Sequence, residues 1–474
     1  MGVRGLLKLL KGAYSTDVPN VFTYLRGRVV GLDASVWMHM LFAVCYDQVG
    51  NEGRDPVAQN FISHLKRFKD AGVTVVPVFD GAPTGAKAGE MEHRSQTRKK
   101  KIETARADIV KAAASSAGVT EVLKNKLLKA EAKLDREGVA REIIHYCRRT
   151  GIAYVVAPGE ADHQLVLMSK LRSIDFILTV DSDLLCHETV RFIRLKKGGF
   201  FTGKAELFDV NVCPRPTAPE QSQCLGRVVE RAKIKFPSSE YADIGWRACL
   251  AYALLAGNDY FKLPKVGIAR AYEALVSYIS DMDSFESPDE LLNVDKLLEY
   301  VQKVVKNDFS QFRNQLTQAK ISFQRGLVFH LNTQMIAPLD DSYLAHDCQV
   351  FLGTPVEDKE RAQLIALGLM CTRRHCPCTK ERLHDLSRDS SPILSVTDSP
   401  TCEVTGFTRE DETTPSRLTY DMIRGSKVAF TEIYKLTTVP FLLSIFYCRF
   451  SQFLALIIHS FQSSLAPHFG SRQS

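Results

Sequence analysis

The chain has 474 residues, 45% of them hydrophobic, which is enough for a packed core and about two or three domains and excludes a chain too polar to fold. Its formal net charge of +7 suits a polyanionic partner, although solubility alone also explains a mildly basic balance. Twelve cysteines in no regular framework, and an N-terminus without a signal-peptide pattern, predict a reducing intracellular compartment.

Apolar runs in the first part of the chain predict an α/β fold. Residues 28–32 and 73–79 are expected to be buried strands, with a helix over residues 57–69 between them. A long polar helical stretch is predicted over residues 90–149, and Gly151 is expected just past its end.

The strand and helix pattern resumes over residues 153–183. A hairpin is then predicted over residues 192–202, turning at Gly198, with its second strand in the last three residues of that range. Residues 241–278 have a helical pattern that is broken by a turn at residues 262–267.

Seven carboxylates lie at the ends of these apolar segments or just beside them. Because the carboxyl ends of parallel strands meet at one edge of a sheet, we expect them to form a single anionic bowl. Such a bowl needs cations, and hard oxygen ligands select Mg²⁺ or Mn²⁺; two ions about 4 Å apart would support phosphodiester hydrolysis. The seven residues are Asp33, Asp80, Glu160, Asp162, Asp181, Asp183 and Asp259.

Five short motifs occur in this order: MGVRGLL at 1–7, VFDG at 78–81, PGEAD at 158–162, TVDSD at 179–183 and GNDY at 257–260. They resemble the motifs of the structure-specific 5′ nucleases, which include flap endonuclease and exonuclease 1, over roughly residues 1–350. The resemblance implies a PIN-like α/β fold with a mostly parallel central sheet flanked by helices. It also implies a helical arch over the active site and a helix–two-turn–helix element that grips duplex DNA.

The resemblance gives each acidic residue a role. Asp33 would orient water at the metal ions, and Asp181 is also counted as catalytic. One ion would lie nearest Asp80, Glu160 and Asp162, and the other nearest Asp181, Asp183 and Asp259.

Basic residues after Asp80 match the arch positions that contact the scissile phosphate in this family. Lys87 lies seven residues after Asp80 and Arg94 fourteen residues after it, and both are expected to assist catalysis. A solvated helix face is the alternative explanation of this basic run. Further DNA contacts are expected from Gly2, Arg4, His39, Arg98, Lys99, Lys265, Gly267 and Arg270.

Some details resemble exonuclease 1 more than flap endonuclease. His39 stands where flap endonucleases carry Tyr, and its ring could stack on the terminal base, although a packed helix histidine is the alternative. Residues 323–329 and 336–339 also look like the exonuclease 1 segment that follows the nuclease core.

The turn expected to bind the duplex departs from the family pattern. Lys265-Val266-Gly267 stands where the family usually has Gly-x-Gly, whose amides bind a phosphate, often through a monovalent cation such as K⁺. Lys265 could replace that cation with a direct contact.

The region after residue 350 carries weaker signals. Cys371, His375, Cys376 and Cys378 could bind zinc, although their spacing is tight and reduced cysteines are the alternative. Residues 439–458 approach the length of a membrane span, but Arg449, Pro440 and Gln452 argue against one. A terminal helix, a docking segment and sequence outside the functional protein are the alternatives. Residues 462–469 partly resemble a sliding-clamp-binding box, and Ser391, Ser399 and Thr414 are candidate phosphorylation sites.

The motifs together predict a Mg²⁺-dependent 5′-to-3′ DNA exonuclease with flap-cleaving activity, acting in nuclear DNA repair on 5′ ends, nicks or flaps. A flap endonuclease proper and a non-catalytic DNA-end binder are the alternatives. The predicted regions are an N-terminal nuclease region (1–100), an arch (101–135, with a basic entry from about 87), an internal nuclease region (136–235), a helix–two-turn–helix and following helical region (236–350), a linker (351–384), a disordered segment (385–417) and a C-terminal segment (418–474).

Overall fold

The computed structural model describes residues 2–44, 56–82, 85–114, 120, 122–124, 126–127, 136–196, 198–216, 223–281, 287–340, 353 and 355–370. The strands in these residues form one large sheet and one hairpin. They are β1 (Ser15–Val18), β2 (Val29–Asp33), β3 (Thr74–Phe79), β4 (Val155–Val156), β5 (Phe176–Leu178), β6 (Arg191–Leu195), β7 (Ala205–Asp209), β8 (Leu327–His330) and β9 (Met335–Pro338).

Helices surround the sheet. They are α1 (Leu6–Leu10), α2 (Val21–Tyr24), α3 (Ala34–Val44), α4 (Pro56–Asp70), α5 (Ala88–Ala113), α6 (Arg136–Thr150), α7 (Ala161–Lys170), α8 (Gly199–Thr202), α9 (Leu225–Lys235), α10 (Tyr241–Ala256), α11 (Ile268–Asp281), α12 (Val294–Val305), α13 (Arg313–Gln324) and α14 (Lys359–Ala366). The apolar spacing of α4 explains its packing, because Val57, Phe61, Leu65 and Phe68 form one buried stripe.

The large sheet has the strand order β1-β7-β6-β5-β2-β3-β4. Neighbouring strands from β6 to β4 in this order are parallel, whereas β7 pairs antiparallel with both β6 and β1. This confirms the predicted mostly parallel α/β fold. After β4 the chain crosses to the other side of β2, so the strand order reverses between β2 and β5, where such sheets form their binding crevice.

The predicted strands at 28–32 and 73–79 and the helix between them are confirmed within a residue or so by β2, β3 and α4. Gly151 adopts a left-handed backbone with φ 67°, as expected just past the end of α6. The described parts of the predicted 90–149 stretch include α5 and α6.

The predicted hairpin at 192–202 is wrong in its second strand. Residues 199–202 form the short helix α8, and the strand that pairs with β6 is β7. The backbone N–H of Lys196 donates to Lys204 O at 2.9 Å, so the pairing of β6 with β7 extends toward the loop that joins them. That loop is longer than the predicted turn. Gly198 and Gly203, both with φ 74°, let the chain enter and leave this helical turn.

The predicted helices around the 262–267 turn are confirmed as α10 and α11. Helix α5 continues through residues 100 and 101, across the predicted boundary between the N-terminal nuclease region and the arch. Buried apolar side chains from Val3 to Leu369 also form one hydrophobic core. The division into regions therefore stays a prediction.

The hairpin β8–β9 is tied to α7 by buried polar contacts. Gln164 Nε2 donates to Phe329 O at 2.9 Å, and the Phe329 N–H donates to Gln164 Oε1 at 2.8 Å. One residue earlier, His163 Nε2 lies 2.8 Å from Ser322 O. The segment after residue 313 thus supports the helix that begins at the PGEAD motif.

Several predictions lie outside the described residues: the Cys/His cluster at 371–378, the segment at 385–417 with its phosphorylation sites, and the clamp-box resemblance at 462–469. No helix in the described part of the chain is long and apolar enough to cross a membrane, and residues 439–458 lie outside that part.

Gly326→Ala is expected to lower the free energy of unfolding by about 1–3 kcal/mol through overpacking. A methyl group at this position would lie 2.2 Å from Nδ1 of the His163 ring. Gly267→Ala is the matched control, because its added methyl would meet nothing within 4 Å. Urea denaturation of both variants measures the difference; equal stability would contradict the packing of β8 against α7.

Candidate active site

The carboxyl ends of β2, β3, β4 and β5 place their acidic residues in one crevice. Asp33 is the last residue of β2 and is almost fully buried. Its Oδ1 accepts from the Val36 N–H at 3.0 Å, and its Oδ2 accepts from Thr179 Oγ1 at 2.9 Å. Because Thr179 follows β5, this hydroxyl joins the two strands between which the strand order reverses.

Asp80 follows β3 and is tied to the start of α7. Its Oδ1 accepts from the Ala161 N–H at 2.9 Å, in the first turn of the helix, where unpaired N–H groups favour a carboxylate. The next N–H along the chain, from Gly81, donates to Gly159 O at 2.7 Å. The VFDG and PGEAD motifs are therefore held side by side.

Asp181 and Asp183 lie at the 3₁₀ turn Ser182–Cys186 that follows β5. Asp181 caps this turn, and its Oδ1 accepts from the Asp183 N–H at 3.1 Å. Gly2 packs directly against this cap: with φ 88°, it leaves no room for a Cβ, which would lie 2.4 Å from Asp181 Oδ1. Gly2 thus lies against the acidic cluster, and its expected DNA contact stays a prediction.

Burial and mutual repulsion raise the pKa of several of these acids. Burial, with the nearby charge of Asp80, raises the pKa of Asp33 to about 8. Burial and the charge of Asp181 raise the pKa values of Asp162 and Asp183 well above the ordinary aspartate range. Burial is also the main cause of the raised pKa of Asp181.

Glu160 differs because a cation pairs with it. Lys87 Nζ lies 2.6 Å from Glu160 Oε2, and the exposed fractions of the two side chains are only 16% and 13%. Burial, the largest single influence, would raise the pKa of Glu160, but the charges of Lys87 and His163 and the hydrogen bonds from Lys87 and Tyr260 together lower it. Burial likewise disfavours the charged form of Lys87. The surrounding Tyr260, Glu160 and Asp162 nevertheless raise the pKa of Lys87 well above the ordinary lysine value.

Asp259 enters the site from the loop after α10. Asn258 shapes this loop, because its Oδ1 accepts from both the Tyr260 and the Phe261 N–H groups at 2.9 Å. Asp259 and Asp183 interact electrostatically, and Tyr260 donates its hydroxyl to Glu160 Oε2 at 2.9 Å. The GNDY motif therefore contributes two side chains to the cluster.

The structure brings all seven predicted acids into one electrostatically linked cluster. Even so, within the described residues no three acidic, histidine or cysteine side chains are arranged to hold a metal ion. Several of these carboxylates accept hydrogen bonds from the chain instead, among them Asp33 and Asp80. The donor set still fits hard divalent cations, since every ligand is a carboxylate and Asp183 Oδ1 is buried without a hydrogen-bond partner.

The predicted basic residues and His39 lie in several separate parts of the fold. Lys87 is in the acidic cluster, whereas Arg94, Arg98 and Lys99 follow it along α5, with Lys99 exposed. Lys265 and Gly267, in the turn before α11, and Arg270, in the first turn of that helix, are exposed, and Arg270 Nη1 donates to Lys265 O at 2.8 Å. Arg4 is exposed beside α1, and His39 is half-buried on α3.

Sequence reasoning missed Thr179, Asn258 and Tyr260, although all three lie inside the quoted motifs. Each of the three is uncharged and therefore does not belong to the pattern of carboxylates that predicts the site. The available signal was the position of each beside an acid: Thr179 two residues before Asp181, and Asn258 and Tyr260 on either side of Asp259.

Two family models match the chain. The XPG N-terminal domain matches residues 1–101, and the XPG I-region matches residues 151–212. Asp259 lies outside both regions, which contain the other six acids of the cluster.

The chain is 27% identical to exonuclease 1 of Arabidopsis thaliana over 406 residues, which is 84% of this chain and 47% of that protein. It is 30% identical to exodeoxyribonuclease 1 of Schizosaccharomyces pombe over 203 residues, covering 42% and 33% of the two proteins. The chain thus spans about half or less of these relatives. Among solved structures, human GEN1 in complex with Holliday junction DNA is 16% identical, with a TM-score of 0.41 and 66% of each chain covered. The family and sequence matches confirm the resemblance to structure-specific 5′ nucleases.

Two neighbouring acids are expected to respond oppositely to loss of charge. Asp183→Asn should raise the metal-free melting temperature by roughly 2–4 °C for each kcal/mol of repulsion relieved. Glu160→Gln should lower stability by about 3 kcal/mol, because it leaves Lys87 buried without its partner. Thermal unfolding in EDTA at pH 8 measures both, and a loss of stability in both variants would contradict this electrostatic assignment.

Proposed function

We propose that this chain, which carries the XPG N-terminal domain and the XPG I-region, is a divalent-metal-dependent 5′-to-3′ DNA exonuclease with 5′ flap endonuclease activity. The observation that carries the proposal is the cluster of seven carboxylates from five chain segments, with one lysine in contact with it. A basic chain with such a cluster suits a phosphodiester substrate, whose phosphates need cations on both sides of the scissile bond.

The residues fit two Mg²⁺ ions, with Mn²⁺ as a substitute, because all the donors are hard oxygens. Ions held there would activate water and neutralise charge on the reacting phosphate. We assign Asp80, Glu160 and Asp162 to one ion and Asp181, Asp183 and Asp259 to the other.

The remaining side chains would position the DNA and the water that reacts with it. Asp33, fixed by Thr179, would orient water in the crevice. Lys87 places a positive charge beside Glu160, where it would neutralise the scissile phosphate, and Arg94 on α5, the helix that begins just after Lys87, would add a second charge. His39 would stack on the terminal base, and Arg4, Arg98 and Lys99 would contact the strand that approaches the site.

The first alternative is a flap endonuclease proper. It is favoured by the similarity to flap endonuclease 1 of Enterocytozoon bieneusi, which is 25% identical over 296 residues, or 59% of this chain and 71% of that protein. A non-catalytic DNA-end binder is the second alternative, and the complete acidic set argues against it. We place the exonuclease in nuclear DNA repair, with 5′ ends, nicks or flaps as substrates and a sliding clamp as a candidate partner.

The helix pair α10 and α11 would hold the duplex through the turn that contains Lys265. Lys265 has a left-handed backbone with φ 61°, which costs a non-glycine residue about 1–2 kcal/mol. Because Lys265 is exposed, we propose that its ammonium contacts a DNA phosphate directly, where a K⁺ ion would otherwise serve.

The exonuclease proposal predicts release of mononucleotides from the 5′ end of a labelled blunt or recessed duplex in the presence of Mg²⁺. Matched blunt, nicked and flap substrates, assayed with and without EDTA, separate the candidates, because cleavage only at the flap junction would favour the endonuclease. Asp181→Ala is expected to lower the rate at least 100-fold. Undiminished cleavage by that variant would contradict metal-assisted hydrolysis at this site.

Substitution of Lys265 is expected to separate its charge from its backbone strain. Lys265→Gly should raise stability by about 1 kcal/mol, since glycine accepts the left-handed backbone, yet weaken duplex binding. The plot of log affinity against log salt concentration should also become less steep by ~0.9, the contribution of one phosphate contact. Lys265→Arg keeps the charge and should bind like the wild type. Fluorescence anisotropy over a salt series measures this, and an unchanged slope in Lys265→Gly would exclude the direct contact.

A further inference from the structure

Tyr260 makes three contacts at the point where the predicted arch lysine meets the acidic cluster. Its hydroxyl donates to Glu160 Oε2 at 2.9 Å. Its ring lies under Lys87, with Nζ 4.7 Å from the ring centroid. On another side the ring packs at 76° against Phe323, with centroids 5.1 Å apart. One side chain therefore touches both partners of the ion pair between Lys87 and Glu160.

Hydrogen bonds of its own hold the backbone loop around Tyr260, separately from these side-chain contacts. Helix α10 ends at Ala256 with Gly257 as its C-cap, and Asn258 Nδ2 donates back to Ala253 O at 3.2 Å. Asn258 Oδ1 then accepts from the N–H of Tyr260. The loop is closed by a 3.0 Å bond from the Asn258 N–H to Phe261 O. Such a loop positions its side chains more rigidly than an open turn.

The far side of the ring is supported by the C-terminal part of the core. Phe323 belongs to α13 and is buried, and its ring lies 6.0 Å from that of His187. His187 packs in turn on His163, which contacts the Ser322 carbonyl. Tyr260 is thus held from behind by the same segment that supports α7, the helix that Glu160 caps.

The hydroxyl of Tyr260 suits the role of a donor to Glu160. A phenol carries a single O–H hydrogen, and here that hydrogen is donated to the carboxylate oxygen Glu160 Oε2. A donor to a ligating carboxylate fixes the direction of that ligand's oxygens.

We propose that Tyr260 is a positioning residue of the nuclease site: its hydroxyl orients Glu160 for a divalent cation, and its ring holds the Lys87 ammonium over the site for the scissile phosphate. This assignment rests on the proposed function. It gives the two halves of one side chain separate tasks, which two substitutions can distinguish.

Tyr260→Phe removes only the hydroxyl. It is expected to weaken Mn²⁺ binding, measured by calorimetry in the absence of DNA, by roughly 10-fold. Tyr260→Leu also removes the ring, and it should slow single-turnover cleavage about 3- to 10-fold beyond the phenylalanine variant, from the lost cation–π contact. This second loss should fall on the rate constant rather than on Mn²⁺ affinity.

A double substitution tests whether the ring acts through Lys87. In a Lys87→Met background, the rate difference between the phenylalanine and leucine variants at position 260 should disappear, since no ammonium remains to be held. Tyr278→Phe is the matched control: it loses a buried tyrosine bond to Glu290 O, and its Mn²⁺ affinity should equal that of the wild type.

The assignment is overturned if Tyr260→Phe binds Mn²⁺ and cleaves DNA within twofold of the wild type. It is also overturned if both variants merely lower the melting temperature while Mn²⁺ affinity and the cleavage rate constant stay unchanged. A wild-type protein that cleaves none of the DNA substrates would instead overturn the proposed function, whatever the Tyr260 variants do.

Discussion

Repulsion among buried carboxylates is the constraint on which the rest of this structure depends. Seven acids in one crevice would drive the strand ends apart unless a rigid framework opposed them. The framework here is the set of apolar strands whose carboxyl ends are level, with β2 paired to β3 on one side and to β5 on the other. The stability of the packed core holds together a site that is electrostatically unfavourable by itself.

The protein compensates these charges unevenly. Asp33, Asp80 and Glu160 each accept hydrogen bonds from nearby backbone or side-chain donors, and Glu160 also has a cation beside it. Asp183 has a buried oxygen without such a donor. Donors and one cation from the chain therefore stabilise part of the cluster, whereas the buried Asp183 oxygen is left for whatever binds there. This asymmetry gives the two predicted ion positions different surroundings, and hence different expected affinities.

The fold class and the acidic set could be predicted from the sequence because both depend on strong local patterns. A strand such as β3, buried along nearly its whole length, reads as an uninterrupted apolar run, and an acid after it marks the strand end. The second strand of the hairpin could not be predicted, because Phe200 has strand propensity but lies between two glycines that impose a helical turn. The contacts of Lys87 with Tyr260 and Glu160 join residues up to 173 positions apart, and no local pattern encodes them. Those partners follow only from the packed fold.

The bonds between α7 and the β8–β9 hairpin also set the order in which this protein can acquire its site. Gln164 and its partner Phe329 are separated by 165 residues, and His163 and Ser322 by 159. During synthesis, the helix that carries the PGEAD acids must leave the ribosome well before its buried amide and imidazole can be satisfied. Contacts of such long sequence separation form late, because loop closure comes before any gain from them. The nascent chain is thus expected to hold its sheet before its active site, so that binding of metal and DNA begins only after most of the folding is complete.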